Sequence, residues 1–410
     1  VAFPVRPHVA ARRAFALALG ASLTLAAVAS KPPARAQSAS TAPPVTRSID
    51  VPPGSFARLH AALARGRARL AFYGASHTAA DGYTHRVRER LQRRFGDGGP
   101  GLVSVATPFP FHRQQAVRTG PSALVGRRIF GPERRRDDYG PAGFFLEAPS
   151  STGSSMNGSS TTVTTNVTTN AAAATASVET AVGVRFSRVR VLYRGTAPTV
   201  RVDGRALVAA LDPDGAEVAD GPHRVELEVP ARTRVLGLVL ERERGVVVDA
   251  LGVPGARIAD QNLWVTRTLD ATLRERPLDL FALAYGTNES ANARPPIEVY
   301  RRELRAILAQ WKRRAPSASC LLIGPGDWPL RRGGRFVPRP RLRAIVEAQR
   351  EEARTAGCAF FDTFAFMGGD GSMVRWVAEG LGDPDHVHFT DAGHRRVGDA
   401  IADALLAGMP

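Results

Sequence analysis

Two rhythms of apolar and polar positions alternate along this chain. Phe56, Leu59 and Leu63 recur at helical spacing within 56–69. Val87, Leu91 and Phe95 repeat that spacing before a glycine-rich stop at 96–101. Between them Leu70-Ala71-Phe72-Tyr73 is a continuous apolar run ending at Gly74, as in a strand buried on both faces. The pattern predicts a strand–loop–helix unit with Gly74-Ala75-Ser76-His77-Thr78 at its turn. The same rhythm returns from Gly245. Val246-Val247-Val248, 278–285, Leu321-Leu322-Ile323 and Ala359-Phe360-Phe361 read as strands. Helical patterns over 300–311 and 342–356 separate them, and 397–406 closes the chain as a helix. Apolar strands alternating with helices predict a three-layer αβα domain around a parallel sheet.

The second rhythm has period two and fills 184–248. Val189-Arg190-Val191-Leu192-Tyr193, Val200-Arg201-Val202 and Val225-Glu226-Leu227-Glu228-Val229 alternate inward and outward positions, with turn signals such as Asp203-Gly204 and Asp220-Gly221-Pro222 between them. Short alternating strands at this spacing predict an antiparallel β-sandwich. A Ser/Thr/Asn-rich tract, 150–177, reads as a linker or an exposed strand-rich hairpin. The expected organisation is a signal peptide over 1–36, a linker over 37–48, the first part of the αβα domain over 49–139, an inserted β-sandwich over 140–244, and the second part over 245–410. The sandwich is expected to help hold the substrate, in the manner of a carbohydrate-binding module.

Composition changes this picture in three places. The chain has 410 residues, 44% of them hydrophobic and 23% charged, which excludes wholesale disorder. Its net charge of +17 invites a nucleic-acid reading, but Lys31 and Lys312 are its only lysines and the arginines are scattered. Short clusters such as Arg134-Arg135-Arg136 and Arg331-Arg332 read as solvated faces, with attraction to an anionic polymer left open. Near the N-terminus, Arg12-Arg13, an apolar stretch over 14–29 and Ala34-Arg35-Ala36 read as an export signal of the Sec or twin-arginine kind. The alternative there is an uncleaved membrane anchor. Export leads to a periplasmic or extracellular site, where disulfides persist. The two cysteines, Cys320 and Cys358, each open an apolar run. On neighbouring parallel strands they would stand close enough for a bond; two buried thiols are the alternative.

In open α/β sheets, sites gather beyond the carboxyl ends of the strands. Ser76 follows the first strand at a tight turn, Gly255 follows the strand after the insert, and Asn288 follows the next. Asp385-His386-Val387-His388 sets a carboxylate beside imidazoles ahead of the last helix. A nucleophile, a base, an orienting acid and three oxyanion donors are therefore available. His386 and His388 with Asp385 also admit a metal-site reading. His77 reads as a pocket or structural residue. Asp81 and Glu289 read as helix N-terminal charges, and Phe109, Phe111, Trp328 and Trp376 as core, lid or sugar-site aromatics.

Gly74-Ala75-Ser76-His77-Thr78, Gly252-Val253-Pro254-Gly255, Gly286-Thr287-Asn288-Glu289 and Asp385-His386-Val387-His388-Phe389-Thr390 stand in the order of four sequence blocks. The chain resembles the SGNH (GDSL-type) hydrolases on these residues. With a sandwich between the first two blocks, it resembles the bacterial peptidoglycan O-acetyl esterases among them. Ala75 stands where the family has the aspartate of Gly-Asp-Ser. The resemblance implies a flavodoxin-like sheet and a triad of Ser76, His388 and Asp385. It also implies an oxyanion hole from the backbone N–H groups of Ser76 and Gly255 with the Asn288 side chain. Asp383 and His386 have the same spacing as Asp385 and His388; the family spacing to Phe389, Thr390 and Gly393 selects the latter pair.

The expected function is that of an exported serine esterase that removes O-acetyl or other small acyl groups from a cell-wall or other polysaccharide. No metal or organic cofactor is implied. The expected partner is an acyl-ester substrate, not nucleic acid, with no stable membrane insertion after signal cleavage. A catalytically weak carbohydrate-binding protein of the same fold and an O-acyltransferase using the same triad are the competing readings.

Overall fold

The computed structural model describes residues 48–130, 136–149, 173–292 and 294–409. The expected signal peptide, nearly all of the linker and the tract over 150–172 lie outside the described residues. Five parallel strands form the spine: β1 (Arg67–Gly74), β2 (Gly245–Gly252), β3 (Leu280–Ala284), β4 (Ser319–Ile323) and β5 (Ala359–Phe361). Their spatial order is β2-β1-β3-β4-β5, and the short strand Ile49–Asp50 pairs antiparallel with β5 at the edge. The order reverses at β1, so the ends of β1, β2 and β3 form the switch point where such sheets bind ligands.

Successive strand residues point to opposite faces. Leu70, Phe72, Val246, Val248 and Leu321 enter one core with Leu59 and Leu63, Val87 and Leu91, and Val397, Ile401 and Leu405. These come from the helices Ala57–Ala64, Gly82–Phe95 and Asp391–Leu406. Tyr73, Phe281, Leu322 and Phe360 enter the other core with Tyr300, Leu304 and Trp311 of Ile297–Arg314 and Leu342, Ile345 and Val346 of Pro340–Thr355. Burial on both faces is why these strands are continuously apolar. The first helical pattern ends early: Gly66 takes a φ of 70° and β1 begins at Arg67, within the stretch expected to be helical.

Two antiparallel sheets form the inserted β-sandwich. One runs Arg205–Ala206, Thr199–Val202, Arg224–Val229, Ala174–Thr180, Val117–Thr119; the other runs Ala216–Gly221, Phe186–Arg194, Arg234–Glu241, Phe144–Glu147, Val125–Arg128. Gly101–Val103 also pairs with Arg234–Glu241. Antiparallel pairing thus begins at Gly101, ahead of the boundary expected at Gly140. The strands of 101–128 are too short to carry a legible alternation; their partners lie beyond residue 140. Ala174–Thr180, at the end of the Ser/Thr/Asn tract, is a sandwich strand with Ala174, Ala176 and Val178 buried.

Cys320 and Cys358 are joined in a disulfide with a Cα–Cα distance of 4.9 Å. It lies at the amino ends of β4 and β5, across the sheet from the ends that carry Ser76 and Asn288. Among the described residues, no helix is long and apolar enough to cross a membrane.

Candidate active site

β1 ends at Gly74, where a Cβ would stand 2.1 Å from Thr78 Oγ1 and 2.8 Å from the Ala284 carbonyl. Only glycine lets the chain fold back this tightly. The short helix Ser76–Ala79 starts directly after Ala75. It has no side-chain cap; the Ala75 carbonyl accepts the Ala79 N–H at 2.9 Å. Ala75 is buried, so the turn closes through backbone bonds without the family's aspartate.

The loop 383–390 is bent by His386, which takes a φ of 58°. Backbone bonds from Asp383 N to His388 O (2.8 Å) and from His386 N to Asp383 O (2.9 Å) close it. Thr390 Oγ1 then accepts the Gly393 N–H at 3.2 Å and caps the last helix. Asp385 Oδ1 accepts the N–H groups of Val387 (2.8 Å) and His388 (2.9 Å), while Oδ2 accepts His388 Nδ1–H at 2.6 Å. With its proton on Nδ1, the imidazole presents Nε2 as acceptor, 2.9 Å from Ser76 Oγ. Burial pushes the Asp385 carboxyl up, but the bonds from His388 and Val387 outweigh it and hold the group below the usual carboxylate range. Both ring nitrogens of His388 are therefore engaged in a Ser-His-Asp chain. His386 instead bonds the Pro384 carbonyl through Nδ1 at 2.8 Å and stacks on Phe336.

Gly255 takes a φ of 82°, and a Cβ there would stand 2.4 Å from Phe130 Cε1, so its loop admits only glycine without displacement. Asn288 lies in the short helix Thr287–Ser290, and its Nδ2 donates to the Ala256 carbonyl at 2.9 Å. Glu289 spans the same gap: Oε1 accepts Ile258 N–H (2.7 Å) and Oε2 accepts Gly286 N–H (3.0 Å). The Gly255 loop and the Asn288 turn are thus laced together. Val253 N bonds the Gly74 carbonyl at 2.9 Å, which ties the loop to the Ser76 turn as well.

His77 is half-buried beside this chain. Its Nε2 donates to the Val387 carbonyl at 3.0 Å, and its ring centroid lies 5.2 Å from that of His388. Burial, then the nearby imidazoles of His388 and His394, push its pKa down to about 3, so it is a neutral brace for the His388 loop. Asp81, at a φ of 48°, holds Arg88 and also accepts the Gln115 N–H at 3.0 Å. With the bond from Arg113 N to Ala79 O (2.8 Å), this fastens the loop 104–116 onto the helix of Ser76. Phe111 projects from that loop, 69% exposed, its ring parallel to His388 (10°) at 6.0 Å between centroids. Phe109 and Trp376 are core residues, and Trp328 is covered by Arg339. Spacing along the chain carried no signal for the Phe111 loop or for Phe336.

Three comparisons bear on this arrangement. Residues 219–396 match the GDSL-like Lipase/Acylhydrolase family, a stretch that contains Gly255, Asn288, Asp385 and His388 and begins after Ser76. No curated protein matches the chain. Among solved structures, a peptidoglycan O-acetylesterase is similar at 23% identity and a TM-score of 0.69, over 88% of this chain and 96% of that one. An acetyl xylan esterase matches at 18% identity and a TM-score of 0.30, over 40% of this chain and 81% of its own. An acetylxylan esterase from Geobacillus stearothermophilus matches at 19% identity and a TM-score of 0.30, over 40% of this chain and 74% of its own.

Proposed function

We propose that this chain, a carboxylic ester hydrolase of the SGNH (GDSL-type) family, is an exported O-acetyl esterase. Its substrate is a cell-wall or other polysaccharide. The observation that carries the reading is the continuous chain from Ser76 Oγ through His388 to Asp385.

Ser76 Oγ attacks the ester carbonyl as its proton passes to His388 Nε2. Asp385 keeps the imidazole in the Nδ1–H tautomer and stabilises its charged form. The tetrahedral oxyanion is met by the N–H groups of Ser76 and Gly255 and by the N–H of Asn288 left over from its bond to Ala256; one such donor is commonly worth about 3 kcal/mol. Collapse returns the proton from His388 to the leaving sugar hydroxyl and leaves Ser76 acylated. Water, deprotonated by His388, then releases the acid and restores Ser76. No step calls for a metal or cofactor.

Water has access to the acyl-enzyme, because the triad is open: the Asp385 side chain is 49% exposed and that of His388 30%. The polysaccharide substrate and export draw support from the similarity to a peptidoglycan O-acetylesterase over nearly the whole chain. The sandwich is assigned to holding the polymer, and residues 1–36 to export.

The test is acetate release from a panel of O-acetylated glycans beside a chromogenic acetate ester, for wild type and Ser76→Ala. Loss of the nucleophile is expected to lower kcat by roughly 10⁴-fold or more with an unchanged circular-dichroism spectrum. Near-wild-type turnover by the folded variant would sink the assignment.

A further inference from the structure

Between β4 and the helix Pro340–Thr355 the chain makes a small hairpin, Leu330–Arg332 paired with Arg335–Val337 through Gly333 and Gly334. Both glycines have positive φ, 53° and 75°, as a two-residue hairpin loop of the primed kind requires. Its base is pinned where Arg339 lies over the Trp328 ring at 3.8 Å and donates to the Trp328 carbonyl at 3.0 Å. The hairpin leaves the carboxyl end of β4, the same end of the sheet as the triad.

Residues opposite one another in an antiparallel pair share a face. Arg331 therefore shares a face with Phe336, and Arg332 with Arg335. Phe336 lies on the His386 ring at 4.2 Å, on the loop that carries His388, so Arg331 stands at the rim of the active site. Arg332 and Arg335 oppose each other directly. Elsewhere opposed charges are balanced within the fold: Arg188 faces Glu217 and bonds it at 2.7 Å, and the directly opposed Arg194 and Arg234 bond Asp138 and Asp137 at 2.6 and 2.9 Å. All three hairpin arginines are exposed, and none of them makes an ion pair among the described residues. Like charges in direct cross-strand register are destabilising unless an anion lies between them. Among the described residues no carboxylate pairs with these arginines.

We propose that this hairpin binds carboxylate groups on the ester-bearing glycan itself, which makes the preferred substrate an acidic polysaccharide. The inference rests on the esterase reading and narrows its substrate class. The anion belongs to the substrate because Phe336 and Arg331 border the loop that holds His388, so a polymer presenting its ester to Ser76 passes along the hairpin. An exposed ring beside planar guanidinium forks suits a sugar ring that carries a carboxylate.

The test compares wild type with the Arg331→Gln/Arg332→Gln/Arg335→Gln variant on acetylated polygalacturonate, acetylated xylan and a chromogenic acetate ester. The loss in kcat/KM on the acidic polymer is expected to exceed that on the other two by about tenfold, mostly in KM; each exposed ion pair supplies only a modest factor. Added salt should erase the difference. Equal losses on acidic and neutral polymers, or wild type that prefers the neutral one, would overturn the inference and leave the esterase intact. Binding of Ser76→Ala to deacetylated polygalacturonate, with and without the three arginines, reads the surface apart from chemistry. If wild type releases acetate from none of the three esters, the esterase reading falls, and arginine-dependent binding would still uphold the surface. Duplex DNA bound as tightly as the glycan, with the same arginine dependence, would mark a general polyanion face and overturn the proposal.

Discussion

Phe111 is held at a φ of 67°. For a bulky residue this left-handed conformation costs on the order of 1–2 kcal/mol. Its exposure of 69% means that burial offsets little of the cost. What the strained conformation secures is a ring parallel to the imidazole of His388, on a loop fastened to the helix of Ser76. The ring stands beside His388 with its apolar face exposed. Two variants separate strain from function. Phe111→Ala and Phe111→Gly both remove the ring and are expected to lower kcat/KM several-fold. Glycine alone accepts the backbone angle, so the Gly variant should be more stable than the Ala variant by about 1 kcal/mol. Urea denaturation of the pair decides it, and an Ala variant as stable as the Gly variant would refute the strain.

The candidate site rests on three turns at the ends of β1, β2 and β3, and Glu289 joins two of them. One carboxylate satisfies two backbone N–H groups, on Ile258 and on Gly286, and so joins the Gly255 loop to the Asn288 turn. Glu289→Gln offers a single acceptor oxygen and sets an NH2 group against the other buried N–H. The cost is expected at about 1–3 kcal/mol. Because the proposed oxyanion donors Gly255 and Asn288 ride on the two turns, kcat should fall about tenfold or more while KM moves little. A variant with full kcat and reduced stability would show that Glu289 serves the fold alone. On the opposite side, Arg86 and Arg90 bond Asp399, and Arg90 also Asp403, holding the last helix against Gly82–Phe95. The His388 loop thus rests on a braced pair of helices.

At the scale of the molecule, buried titratable groups set the response to acid. Burial pushes His112 and His394 down to about 4, and burial with the imidazoles of His388 and His394 pushes His77 to about 3. Their unfolded value is near 6.5, so the stability they contribute is present above pH 6.5 and is lost as pH falls toward 4, roughly 3 kcal/mol each. Glu289 works the other way. Burial pushes it up to about 6, so its contribution is greatest below its unfolded value near 4.5 and is lost as pH rises through 6, about 2 kcal/mol. Three histidines outweigh one carboxyl. Stability is expected to fall by about 6 kcal/mol between pH 7 and pH 4.5, a Tm lower by several degrees. Calorimetry across that range checks it, and a Tm that is level or rises on acidification would contradict the histidine account.

The apolar runs that become β1 to β5, the helices between them and the period-two strands of the sandwich all follow from local patterning, because burial on two faces or on one leaves a direct mark in the chain. The polar groups at the strand ends were legible for the same reason: Ser76, Gly255 and Asn288 each follow an apolar run, and Asp385 and His388 stand within one turn of each other. Only the tertiary structure decided the rest. The sandwich takes Gly101–Val103, Val117–Thr119 and Val125–Arg128 because their partners lie far along the chain, and strands that short have no periodicity of their own. Phe111 meets His388 only because Arg113 and Gln115 dock on the helix of Ser76. Arg331 and Arg332 read as scattered surface charge until pairing through Gly333 and Gly334 set one beside Phe336 and the other against Arg335. Side-chain spacing reports which face of an element is buried; which loops meet beyond the strand ends depends on contacts between residues hundreds of positions apart, such as the 312 that separate Ser76 from His388.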